Sequence, residues 1–169
     1  MNNNFTLLTF ALDQNWYAIR VEEVQEVVPL PELTPLMDAP QFVSGIFNLR
    51  GRIVTAINLR LRIGLMHRAW DIKNAVLVTT FQKKLYGLIV NEALSLITIL
   101  TQDMEPAPDL PSLNEALQSQ CFSEIAKLEG RLVPILNLNS IFKIVDPGSS
   151  AIGSSKETMK DKEEGIYNE

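Results

Sequence analysis

The sequence predicts a mainly β fold made of two small units of about five short strands each, with a few short helical turns. Three observations predict it. Short apolar runs recur in pairs, each pair split by a brief polar interruption. Proline-rich loops separate the pairs, and one eleven-residue hairpin is written twice.

Taken in order, residues 5–12 (FTLLTFAL) are apolar and rich in Thr and Phe. Asp13, Gln14 and Asn15 interrupt them as a turn, and 16–21 (WYAIRV) return as the second strand of a hairpin. Val24, Val27 and Val28 continue the apolar side through Glu22, Glu23 and Glu26. The period-three spacing of Val21, Val24 and Val27 also suits one helical turn that buries them. Pro29, Pro31, Pro35 and Pro40 then punctuate a loop that can be neither a long helix nor a central strand. Residues 45–51 and 53–59 form a second hairpin, with Gly51 supplying a tight turn. One or two helical turns over 60–64 stop at Gly64.

The same order returns. Residues 75–81, a turn at 82–84 and 85–90 make another hairpin, with Tyr86, Leu88, Val90 and Glu92 falling on Tyr17, Ile19, Val21 and Glu23. A loop with Pro106, Pro108 and Pro111 follows, and then 128–138 (LEGRLVPILNL). Set beneath 49–59 (LRGRIVTAINL), six of eleven positions are identical. The reading is an internal duplication within one domain, 5–146, with pseudo-repeats at about 5–66 and 75–146, each the size of one small barrel. Residues 147–169 begin Gly/Ser-rich and end charged. They bury too little apolar surface to offset their ordering entropy, so a disordered tail is expected, the alternative being a short partner-binding helix around 156–164.

Composition removes several function classes. One Cys and one His in 169 residues allow no intrachain disulfide and no Cys- or His-based metal cage. His67, beside Arg68 and Trp70, reads as a solvated linker residue, and Cys121, beside Phe122, as a small buried hydrophobe. Glu22, Glu23, Glu26 and Glu92 alternate with apolar residues as a solvated face does. Gly51 and Gly130 stand singly, so no phosphate-cradling loop is present and no cofactor is expected. A net charge of −5 and 7% aromatic residues disfavour a nucleic-acid groove. The longest apolar stretch, 85–100, is broken by Asn91 and Glu92, and 1–4 carry no positive charge before an apolar run. A cytosolic protein with no direct membrane insertion is expected. The activity that remains is binding, at sheet edges or in a groove between the lobes.

The run 17–28 (YAIRVEEVQEVV), followed by 38–54 (DAPQFVSGIFNLRGRIV) and ending in Asn58, Leu59 and Arg60, resembles the CheW family, the coupling proteins of bacterial chemotaxis. The resemblance covers about 5–146. It implies two five-stranded, SH3-like β-barrel subdomains packed around a shared core, with no catalytic activity. It further implies that the cytoplasmic tip of chemoreceptors lies in an apolar groove between the subdomains. The regulatory domain of a CheA-type histidine kinase is the second partner, within membrane-associated receptor arrays. Carried over by position, Val21, Val24 and Val27 match apolar groove positions, and Leu8 and Ala93 are weaker matches. Gly45 and Arg50 match positions of receptor coupling, and Glu26 the acidic residue that pairs with Arg50. Thr55 and Asn58 depart from the Pro and Asp of many members, while Pro134 is kept in the second copy. Pilus-based twitching motility or another chemosensory output would use the same coupling. A CheV-like protein would add a receiver domain for which this length leaves no room, and a kinase fragment would continue from a kinase domain. The rival classes are a nucleic-acid-binding barrel and a small esterase or isomerase built on a carboxylate.

Overall fold

The apolar runs fold as antiparallel hairpins. β1 (Asn4–Leu12) and β2 (Asn15–Arg20) meet at Asp13, which takes a positive φ of 56°. A 3-10 turn, Val21–Glu23, leads into β3 (Val24–Pro29). β4 (Val43–Leu49) and β5 (Arg52–Asn58) are joined by Arg50 and Gly51 alone, at φ 51° and 82°. Two positive φ values are what a two-residue loop needs to match the right-handed twist of its strands. α1 (Leu59–Arg62) follows. Then come β6 (Ala75–Phe81), β7 (Lys84–Val90) and β8 (Glu92–Leu100), and after a 3-10 turn, Thr101–Asp103, β9 (Met104–Pro106). β10 (Phe122–Leu128), β11 (Arg131–Leu136) and α2 (Leu138–Phe142) complete the computed structural model, which describes residues 3–108 and 120–143. The expected tail, 147–169, lies outside the described residues, as does Pro111.

The repeated Asn-Leu pair is twice a strand-to-helix junction. Asn58 Oδ1 accepts from Leu61 N at 3.3 Å, and Asn137 Oδ1 from Ser140 N at 3.4 Å. Each satisfies one of the donors a helix start leaves free, at about 1 kcal/mol. Asn58 thus caps α1 directly.

The strands form two sheets, ordered β8-β1-β2-β11-β10-β9 and β3-β6-β7-β5-β4. The sheets do not coincide with the two halves of the chain. The six-stranded sheet takes its first hairpin from the first half and its remaining strands from the second. The five-stranded sheet takes β3, β4 and β5 from the first half and its central hairpin, β6 and β7, from the second. Each sheet is knit across the halves by a parallel pair, β2 with β11 (Ala18 opposite Ile135) and β7 with β5 (Gly87 opposite Ala56). Neither sheet is therefore built by one half alone, because the leading hairpin of each half, β1–β2 and β6–β7, sits in the sheet whose other strands come from the other half.

This exchange explains why the apolar runs are continuous rather than alternating. Neighbouring residues on one strand face two different cores. Leu7 points into the six-stranded sheet with Ala18, Val133 and Ile135, while Leu8 and Phe10 point into the seam between the sheets. Val76 and Val78 point into the five-stranded sheet with Phe47 and Val54, while Leu77 joins the seam. The seam also receives Ile57, Leu88, Leu136, and Leu59, Ile141 and Phe142 from the two helices. Strands buried on both faces carry apolar residues at every position. A fully buried Leu or Ile contributes roughly 1.5–3 kcal/mol by transfer from water.

Candidate functional site

β3 and β8 are edge strands, one on each sheet. In β3, Val24 stands opposite Thr79, Glu26 opposite Val78 and Val27 opposite Leu77, so a bulge lies between Val24 and Glu26. Residues directly opposite share a face, as do positions two apart on a regular strand. Thr79 and Leu77 share the face turned to the seam, so Val24 and Val27 share it too. The bulge is what puts two residues three apart on one side of a strand. The valine spacing that also suited a helical turn is therefore a 3-10 turn followed by a bulged strand. β8 carries the same device, with Ala93 opposite Phe10 and Leu96 opposite Leu8 across a register shift.

Between the end of β3 and the start of β8 lies an open groove of about 350 Å³. Its walls include Val27, Pro29, Ile72, Asn74, Glu92 and Ala93. Val27 is 41% exposed, a large share for a valine, and Ala93 is half-buried against the seam. Val24 is half-buried on the same face of β3.

Glu26 faces the other way. Arg50 Nη1 donates to Glu26 Oε1 at 3.2 Å and Nη2 to Oε2 at 2.9 Å, a two-pronged pair. Arg50 sits in the hairpin turn itself. The pair ties the edge strand β3 to the β4–β5 turn at the opposite edge of the same sheet. Thr34 and Ile46 exchange backbone hydrogen bonds of 2.8 Å beside it. With the Arg50 side chain 78% exposed, the ion pair contributes about 0–1 kcal/mol to stability.

Leu8 and Gly45 lie inside. Leu8 is only 8% exposed, between Ile19 and Leu96. Gly45 has φ 144°, and a Cβ there would stand 2.4 Å from the Thr34 carbonyl oxygen. It is glycine because the Thr34 segment crosses directly over it. Val21 opens the 3-10 turn, half-buried, and accepts the Val24 N–H. Glu23, on the same turn, has its carboxyl pushed up by burial and then by the charge of Glu22, and its Oε2 is buried with no hydrogen-bond partner.

One polar network was invisible in the sequence. Arg60, 6% exposed, reaches Asp13 Oδ2 at 2.8 Å, Asn91 Oδ1 at 3.1 Å and the Met66 carbonyl at 2.9 Å. Arg68 meets Asp13 at 3.1 Å, and Asn91 Oδ1 accepts from Asp13 N at 3.0 Å. The hydrogen bond from Arg60, reinforced by the charges of Arg60 and Arg68, holds the Asp13 carboxyl below the usual range against a smaller effect of burial. The network pins the segment between the two halves beside the groove. Arginine on a four-residue helix gave no signal of burial.

His67 is exposed and stands edge-on to Trp70. Cys121 is 1% exposed, and burial pushes its thiol up against the opposing effect of Arg62. Among the described residues, no three His, Cys, Asp or Glu are placed to hold a metal ion, and no helix is long and apolar enough to cross a membrane.

Two strand-exchanged β sheets with a common apolar seam, and a groove between their edge strands, define a double-barrel β module. The chain belongs to the CheW-like domain family, whose model matches residues 6–146. It is 31% identical over 134 residues to the chemotaxis protein CheW of Helicobacter pylori, covering 79% of each chain. With the CheW of Rhizobium meliloti it shares 25% over 142 residues, 83% of this chain and 89% of that one. The crystal structure of the scaffolding protein TtCheW from Thermoanaerobacter tengcongensis superimposes with a TM-score of 0.76 at 26% identity, covering 83% of this chain and 94% of the other.

Proposed function

We propose that this protein is a non-enzymatic adaptor that couples the cytoplasmic tip of chemoreceptors to the regulatory domain of a CheA-type histidine kinase. In this reading it resides in the cytoplasm and is recruited to membrane-associated receptor arrays. The observation that carries it is the groove between β3 and β8, with Val27 exposed on its wall in a chain of the CheW-like family. A cleft that sets Val27, Ile72 and Ala93 beside Lys73 and Glu92 suits an amphipathic helix, which lays its apolar stripe on the apolar residues and its polar flank beside the charged ones. Val24, Val27 and Ala93 are the apolar contacts of the receptor helix, and Val21 supports the turn behind them. Arg50, held by Glu26, presents a charge at the edge of the same strand. The kinase domain docks on a sheet edge, in an interface of roughly 1,200–2,000 Å². The same reading takes 5–146 as one functional unit whose halves arose by duplication.

The test is a pair of titrations of the purified chain, one with the kinase regulatory domain and one with a receptor cytoplasmic fragment. Binding to both at micromolar concentrations is expected. Failure to bind either partner at that concentration would overturn the adaptor assignment.

A further inference from the structure

Ile72 is 99% exposed, yet it lines the groove with Val27 and Ala93. A singly exposed apolar residue is ordinary by itself. This one is held in place. Asp71 and Asn74 bracket Ile72 and Lys73 in a tight turn, with Asn74 N donating to the Asp71 carbonyl at 3.1 Å and Lys73 N to Asp71 Oδ1 at 2.8 Å. Asn74 Oδ1 accepts from Asp71 N. Asn74 is 2% exposed, and its side-chain amide donates to the Val90 and Asn91 carbonyls at 3.2 and 3.4 Å. Asn91 is in turn fixed by Arg60 and by the Asp13 amide. The turn is anchored from below by a buried network while its apolar tip is left bare.

We infer that the Asp71–Asn74 turn is a fixed hook at the lip of the groove, with Ile72 as a specificity-determining contact for the receptor helix. This rests on the receptor reading above. The helix lies with its apolar stripe on Val27 and Ala93 and one further aliphatic residue against Ile72. Lys73 beside Ile72 and Glu92 on the groove wall add one charge of each sign. The occupant's flank therefore places an acidic side chain next to the residue that meets Ile72 and a basic one towards Glu92. Because the anchored turn is already rigid, little ordering entropy is lost when the contact forms.

The test uses the full chain and a receptor cytoplasmic fragment as probe. Ile72→Ser is expected to melt as wild type does, since the side chain touches almost nothing in the fold, and to bind the fragment about tenfold more weakly, a loss of about 1.4 kcal/mol. Ile72→Leu is expected to restore most of the affinity. Leu132→Ser, at another exposed apolar residue outside the groove (68% exposed), is expected to leave it unchanged. Wild-type binding with an unchanged Ile72→Ser would overturn the hook and leave the receptor reading standing. An equal loss in Leu132→Ser would overturn it too, as general surface stickiness. No binding by wild type would overturn the receptor reading and the hook together.

Discussion

The two sheets are assembled from matching parts in matching order, and they differ at the points where each is closed. In the six-stranded sheet the outer edge of β10 is covered by a strand, β9, through Met104, Glu105 and Pro106. In the five-stranded sheet the corresponding edge strand, β4, is covered by one bridge, Thr34 with Ile46, made possible by Gly45. The hairpin tip differs in the same sense. Arg50 precedes Gly51 and reaches Glu26, whereas Glu129 precedes Gly130 and stands where Arg50 does in the aligned hairpin. The centre differs as well. Five residue pairs join β5 to β7 around Gly87, and a single pair, Ala18 with Ile135, joins β2 to β11. At its outer edge the six-stranded sheet is closed by regular backbone pairing. The five-stranded sheet depends there on Gly45 and a solvent-exposed ion pair, and at its centre on Gly87, and its edge strand β3 walls the groove from one side as β8 does from the other.

The largest expected effects test that dependence on glycine. Gly45→Ala forces a Cβ onto a carbonyl oxygen at an unfavourable φ, and about 3 kcal/mol of stability is expected to be lost. Gly87→Ala places a Cβ 2.4 Å from Val76 Cγ1 and is expected to cost about 2 kcal/mol. At the matching site in the other sheet, Ala18→Gly is expected to cost only about 1 kcal/mol. Urea midpoints of the three variants decide it. Equal losses at Gly87 and Ala18 would erase the contrast between the sheets.

An intermediate effect is expected at Asp13, which carries a charge where the hairpin of the other sheet has the uncharged Gln82. Asp13→Asn leaves the buried Arg60 without its carboxylate, at about 1–3 kcal/mol. The carboxyl has a lowered folded-state pKa, so its contribution is full above the ordinary carboxylate range and is lost as pH falls through the folded-state value. The gap between wild type and Asp13→Asn is therefore expected to be widest near neutrality and to close in acid. Melting curves from pH 7 down to strongly acid conditions measure it, and a gap that grows in acid would refute the linkage.

The smallest effect on folding is expected at Arg50. Arg50→Glu puts two carboxylates together at an exposed site, for which a stability change of about 1 kcal/mol or less is expected. Receptor-stimulated kinase activity is expected to fall far more, with a partial defect in Arg50→Lys, which keeps the charge and loses the planar fork. A variant that melts normally and still supports full activation removes Arg50 from the coupling surface.

Much of the local structure was legible in the chain. The hairpins at 5–21, 45–59 and 75–90 announce themselves because strands buried on both faces are apolar throughout, and because Gly51 and Gly130 mark turns that need positive φ. The helical turn after Asn58 was legible and the one after Asn137 was not, although the same short polar side chain serves the free N–H groups of both helix starts. β8 was not separated from the apolar stretch that contains it, because Asn91 alone divides it from β7. Pairing partners were not legible either. A buried pattern states that a strand face is covered but not by which strand, so the exchange of the hairpins β1–β2 and β6–β7 between halves belongs to the tertiary structure. The same holds for the site. The resemblance singled out Val24 and Val27, but only the bulge in β3 turns them to one side. It singled out Leu8 and Gly45, which packing places inside. Nothing in the linear sequence marked Arg60 as buried or Ile72 as bare at a groove, because both depend on where the segment joining the halves comes to rest. Local sequence sets where strands turn and helices start, through φ preferences and capping hydrogen bonds that involve neighbours only. Which edges face each other, and so where a partner can lie, is decided by long-range burial of two strand faces at once.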